Sequence, residues 1–172
     1  DQPRSRGLGD VYKRQGRNSQ TNAPPIRIRN ITIHAVTASV VVEARGAGVG
    51  NDIAVLDFLS LNARFGASNT LTSSANIILR VDAISNLNGG NTVGFSTSGE
   101  VVIEPFNTGF EAEINLGTGF VPSSGVSSLR VGKAGNLSGS AVVNQSTGSV
   151  RVSAPFSISG PISLYGTSVH IA

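Results

Sequence analysis

The chain has 172 residues, with 13 Lys+Arg against 10 Asp+Glu and a formal charge of +3. Arg4, Arg6, Lys13 and Arg14 against Asp1 and Asp10 place +2 of that charge in the first 15 residues, leaving nine basic and eight acidic side chains in the rest. That balance supplies no cationic face for a nucleic acid or an anionic membrane surface, and no apolar run approaches the roughly 20 residues of a spanning helix, so neither a nucleic-acid partner nor a membrane span is expected.

The opening "DQPRSRGLGDVYKRQ" is basic, loop-like and unlike anything after it. Within it "SRGLGDVYKRQ", Ser5 to Gln15, resembles the translated end of a transposase-type sequencing adapter. Residues 1–15 are therefore expected to be an adapter-derived, disordered segment that packs against nothing. "GRNSQTNAPP", residues 16–25, has no apolar period and two prolines, and reads as a flexible lead-in. The chain contains no Met and stops at "SVHIA" in what reads as mid-strand, so residues 26–172 are expected to be truncated at both ends.

Regular structure is predicted from Ile26. "IRIRNITIH" alternates with a change of phase at Asn30, the pattern of a half-buried strand interrupted by a bend. "ASVVVEA" is a second short strand, and "RGAGVGND" turns the chain. In "DIAVLDFLSLNARF" the residues Ile53, Leu56, Leu59 and Ala63 also suit one face of a helix, so a short helix stands beside a bent strand pair. Strands resume in "NTLTSSANIILRVDAIS", "NTVGFSTSGEVVIEPF", "FEAEINLG", "SSLRVGKAG", "GSAVVNQSTGSVRVSAPFSISG" and "PISLYGTSVHIA". Composition agrees, because the chain is rich in β-branched and turn residues and poor in helix formers. The absence of Cys does not distinguish cytosol from exterior, since a long continuous core needs no disulfides.

Similar phrases recur: "NIILRV" at 76, "EVVIEP" at 100, "SSLRVG" at 127, "GSVRVS" at 148 and "TSVHIA" at 167. Recurrence in this range predicts a solenoid whose coils cannot bury their own apolar sides and stack to do so. The fold expected is all-β, a right-handed parallel β-helix, with inward Val, Ile, Leu and Phe stacked from coil to coil. Asn and Gly are expected at the bends, where amides can form hydrogen-bonded ladders; Asn30, Asn62, Asn76, Asn86, Asn136 and Asn144 are the candidates. A β-sandwich has the same composition and is the alternative.

The last third, "SSLRVGKAGNLSGSAVVNQSTGSVRVSAPFSISGPISLYGTSVHIA", resembles the repeats of large bacterial surface exoproteins of the filamentous haemagglutinin and adhesin type. The residues that carry the likeness are Leu129, Val131, Gly132, Lys133, Gly160, Pro161, Ile162, Tyr165, Gly166, Val169 and Ile171. "NTVGFSTSGEVVIEPFNTGF" is similar to the unit that precedes these repeats, and the likeness weakens before residue 76. Thr167 stands where such repeats more often have a second Gly, which implies a slightly different turn. The resemblance implies a structural segment of a secreted or cell-surface adhesin, a stiff rod presenting binding surfaces to an unknown glycan or protein. It implies flanking repeats of the same chain as neighbours, and an outer-membrane transporter, separate or fused, as the partner during export.

No catalytic, cofactor-binding or metal-ligating residue is expected. His34 and His170 lie far apart and lack Cys, Asp or Glu at metal-ligand spacing. "GAGVG", residues 46–50, lacks the last Gly of a dinucleotide fingerprint. Glu111 and Glu113, with Glu100 and Glu104 nearby, could form a carboxylate patch, although outward charges that keep strands soluble explain them as well. The alternative functions are a polysaccharide-active β-helix enzyme fragment, which would need Asp clusters beside a Lys or Arg although no Asp pair lies near Arg130, Lys133 and Arg151, and a β-sandwich module that binds carbohydrate or protein. Calcium-binding nonapeptide repeats are absent. The sequons at Asn30, Asn136 and Asn144 are expected by chance in so Ser- and Asn-rich a chain.

Overall fold

A computed structural model describes residues 26–28, 32–43, 55–58, 63–66, 73–85, 93–139, 141–143 and 145–172. The segments read as adapter-derived and lead-in, residues 1–25, lie outside the described residues, as does "GAGVG". Among the described residues every regular element is a strand. Three walls are built from them.

The first wall holds β1 (Ile26–Ile28), β4 (Val55–Phe58) and β7 (Ala83–Ser85). The second holds β2 (Thr32–His34), β5 (Ala63–Gly66), β8 (Val93–Ser96), β11 (Phe120–Pro122), β10 (Ile114–Leu116), β15 (Ser149–Val152) and β17 (Ser168–Ile171), in that spatial order. The third holds β3 (Val40–Glu43), β6 (Ile77–Arg80), β9 (Glu100–Glu104), β12 (Ser128–Val131) and β16 (Ile162–Leu164). Every pairing within these walls is parallel. Among the described residues the one antiparallel pair is a hairpin of β13 (Asn136–Ser138) and β14 (Ala141–Val143). An antiparallel sandwich would show the reverse preference; the arrangement is instead consistent with a β-helix.

The bend expected near Asn30 lies outside the described residues, but β1 before it belongs to the first wall and β2 after it to the second. "DIAVLDFLSLNARF" supplies β4 and β5 and no helix among its described residues. The chain then runs from first wall to second to third three times, through β1–β3, β4–β6 and β7–β9.

Alternation decides what each strand buries. In the third wall Val40, Ile77, Val101 and Leu129 lie opposite one another in one inward column, and Val42, Leu79, Ile103 and Val131 in the next. All eight belong to one core. In the second wall Phe65, Phe95 and Phe120 continue the same core as a stack, with ring centroids 5.8 and 5.7 Å apart. Phe65 and Phe95 stand opposite one another in register, so the strand spacing itself sets their rings near parallel, whereas Phe120 stands opposite Val93 and meets the Phe95 ring diagonally.

The phrase spacing needs one correction. "NIILRV", "EVVIEP" and "SSLRVG" do stack in the third wall, with Ile77 opposite Val101 and Val101 opposite Leu129. "GSVRVS" and "TSVHIA" stack in the second wall, with Ser149 opposite Ser168. The strand that follows β12 in the third wall is β16, with Leu129 opposite Ile162. Strands in different walls carry the same alternation, so their phrases look alike without being layers of one sheet.

β10 departs from the simple order. The chain enters the second wall at β10, turns through Gly117 and re-enters the same wall beside β8 as β11, with Leu116 opposite Phe120. β10 itself pairs onward with β15. Between β8 and β15 the second wall therefore holds two strands, β11 and β10, where the third wall holds β12 alone between β9 and β16.

The corners also differ from expectation. Thr97 Oγ1 accepts from Gly99 N at 2.9 Å and donates to Ala75 O, in the adjacent layer, at 2.7 Å. Ser73 repeats this, accepting from Ala75 N at 3.2 Å and donating to Ala35 O at 2.5 Å, and Ser159 Oγ donates to Val126 O at 2.7 Å. The corner before the third wall is thus a ladder of hydroxyls, where Asn amides were expected. A hydroxyl does both jobs because it accepts and donates through one atom. Asn76 does behave as expected, its Oδ1 accepting from Glu100 N at 2.9 Å. Asn136 opens the hairpin, and Asn30, Asn62, Asn86 and Asn144 lie outside the described residues.

Candidate functional site

Among the described residues a charge ladder runs along the outer face of the third wall. Glu43 ends β3, Arg80 ends β6 and Glu104 ends β9, and the three lie opposite one another in register. Arg80 Nε donates to Glu104 Oε1 at 2.8 Å, and Arg80 Nη1 lies 3.4 Å from Glu43 Oε2. Arg130 in β12 reaches diagonally, its Nη2 donating to Glu104 Oε2 at 3.2 Å and its Nη1 to Gly132 O at 2.9 Å. Signs alternate along the stack: Glu43, Arg80, Glu104, Arg130.

Glu104 is the centre of this network because both Arg80 and Arg130 donate to it. Its side chain is 11% exposed, against 43% for Arg80 and 33% for Arg130. Burial pushes the Glu104 carboxyl up, but the hydrogen bonds and charges of Arg80 and Arg130 outweigh it and hold the group below its ordinary value. Arg80 is raised, chiefly by its hydrogen bond to Glu104.

A pH dependence follows. Because the folded carboxyl ionises at lower pH than the unfolded one, its stabilisation is complete above the ordinary Glu pKa of about 4.3. It is lost as pH falls through the depressed folded value. Glu104→Gln is expected to cost about 1–3 kcal/mol at pH 7, and the gap to the parent should close as the solution is acidified. Urea titrations at pH 7, 5 and 3.5 measure this; a gap independent of pH would assign the loss to packing alone.

The other candidates are dispersed. Glu113 pairs with Arg151 at 2.7 Å in the open, a contact worth about 0–1 kcal/mol. Glu111 uses its backbone N to bind Asp82 O at 2.7 Å, and Glu100 begins β9. The four carboxylates thus form no single patch. β10 covers only Ile114–Leu116, so Glu111 and Glu113 precede a strand shorter than expected. Lys133 Nζ donates to Asn107 O at 3.3 Å. His34 and His170 sit in β2 and β17, at opposite ends of the second wall.

Asp82 was not singled out by sequence, yet it is fully buried. Its carboxylate accepts from Asn107 N at 2.7 Å and Asn107 Nδ2 at 2.5 Å, which fastens the turn after β6 to the turn after β9. Such bonds are what make a buried carboxylate tolerable. The ladder did have a sequence signal: "VVVE", "IILR" and "VVIE" each end on a charge, of alternating sign.

Among the described residues no group of three or more His, Cys, Asp or Glu could hold a metal ion, and no helix is long and apolar enough to cross a membrane. No family model matches the chain, and neither a curated protein nor a solved structure matches it.

Proposed function

We propose that the chain forms a right-handed parallel β-helix and serves as a structural repeat segment of a large secreted or cell-surface adhesin, a stiff rod that presents binding surfaces. The observation that supports this reading most is the in-register parallel stacking of strands over apolar columns and the Phe65–Phe95–Phe120 stack. Right-handedness rests on the strong preference of crossovers between parallel strands of one sheet. At about 4.8 Å per layer, the seven strands of the second wall extend roughly 29 Å. Length in such a rod grows by adding coils, each resting on its neighbour.

The resemblance of residues 76–172 to adhesin repeats supplies the class. Flanking repeats are the intramolecular neighbours, an outer-membrane transporter is the export partner, and a glycan or protein is the surface ligand. Weak contacts repeated along a polar outer face bind through valency. Microspheres coated with the full chain are expected to be retained on glycan- or protein-coated surfaces, with retention rising more steeply than coating density. Retention no greater than for microspheres carrying heat-unfolded chain would overturn the reading.

A further inference from the structure

The aliphatic columns of the third wall leave its register unresolved. Both inward positions of each strand are aliphatic: Val40 and Val42, Ile77 and Leu79, Val101 and Ile103, Leu129 and Val131. A slip of one residue would turn a strand's two inward aliphatic side chains outward and its charged end inward, and is excluded by burial. A slip of two residues would again set aliphatic against aliphatic, so the core discriminates poorly against it.

The outward positions differ. Opposite one another stand Val41, Ile78 and Val102 in one row, and Glu43, Arg80 and Glu104 in the next. Sliding β9 past β6 by two residues would place Val102 opposite Arg80, or Glu104 opposite Ile78. Glu104 would then lose the Arg80 hydrogen bond while remaining at a little-exposed position. Arg130 of β12 would still reach Glu104, but the carboxylate would be left with one of its two guanidinium partners and Arg80 with one of its two carboxylates, and breaking a little-exposed ion pair from one side costs more than the intact pair contributes relative to an apolar replacement.

We propose that the Glu43–Arg80–Glu104–Arg130 ladder is the register key of the third wall, selecting one stacking of the coils from alternatives that the core tolerates. The Thr97 and Ser73 corner bonds run to backbone carbonyls, acceptors that every residue offers, and so they hold a register once chosen without distinguishing it. This role is independent of what the rod binds.

The absence of Cys from the chain allows a direct readout in the full-length protein. Ile78 and Val102 are opposite in register, within the reach of a disulfide between adjacent strands. Ile78→Cys with Val102→Cys reports the native register, and Ile78→Cys with Glu100→Cys reports a two-residue slip. With the ladder intact, oxidation is expected to cross-link the first pair at least tenfold more than the second. Replacing the ladder by Glu43→Leu, Arg80→Met, Glu104→Met and Arg130→Met should leave a folded β protein in which the two yields come within about threefold. Reversing all four signs (Glu43→Arg, Arg80→Glu, Glu104→Arg, Arg130→Glu) should restore the tenfold preference, whereas Arg80→Glu alone should abolish it. An apolar ladder that keeps the preference would overturn the proposal. Should that variant fail to fold, a sign-reversed ladder with no preference would overturn it equally.

Discussion

Phe95→Ala should be among the most damaging single truncations in the second wall, lowering stability by about 3–5 kcal/mol. Phe95 is 1% exposed and is the middle ring of three, stacked on Phe65 on one side and Phe120 on the other. Its removal opens a cavity bounded by two rings that are tied to different strands, β5 and β11, and the parallel ladders prevent those strands from closing the gap. Equilibrium denaturation of parent and variant measures the loss. Phe95→Leu, which keeps most of the volume, should lose less than half as much, and equal losses would mean that the stack is not close-packed.

Gly132→Ala is expected to cost about 3 kcal/mol, although it adds only a methyl group to a protein rich in turns. Gly132 has φ +85°, a conformation that costs an L residue about 1–3 kcal/mol. A Cβ there would also lie 2.1 Å from the carbonyl oxygen of Tyr165 in the next layer, so the strand after the turn must shift. That same turn carries Gly132 N to Ile103 O at 2.7 Å and Tyr165 N to Val131 O at 2.8 Å, so the shift strains ladders on both sides. Thermal denaturation reads the effect. Gly139→Ala is the control, since its φ of +63° carries strain but nothing lies within 4 Å of an added Cβ; a loss as large as that of Gly132→Ala would show that conformation alone accounts for it.

Much of this architecture is written in local alternation. "NIILRV" and "EVVIEP" disclose both their inward columns and, by their spacing, their neighbourhood, because a coil returns to the same wall after one circuit. Alternation does not say which wall a strand belongs to, so "GSVRVS" resembles the third-wall phrases although it lies in the second wall. Nor does it reveal β10, since Ile114–Leu116 reads as an ordinary short strand and only the pairing of Leu116 with Phe120 shows that two successive segments occupy one wall. The corner chemistry was legible in kind and not in identity: a polar group had to satisfy the backbone there, and Ser73, Thr97 and Ser159 did so where Asn was expected. Asp82 was invisible as a buried residue because its partner, Asn107, lies a full circuit away. The dispersal of Glu104, Glu111 and Glu113 likewise depends on where the turns after β9 lead, which composition does not encode.

The doubled passage at β10 and β11 has a mechanical meaning. In the language of crystals it is an edge dislocation: one wall gains a layer that the opposite wall lacks. A mismatch of one strand spacing, about 4.8 Å, across sheets roughly 10 Å apart is a wedge of about 25°. A perfectly periodic stack is straight or uniformly twisted, whereas one inserted layer bends its axis at a single place. Only Leu116 and Phe120 pair between β10 and β11, so a bend is expected at that one place, and deleting Ile114 to Leu116 is expected to straighten the stack there.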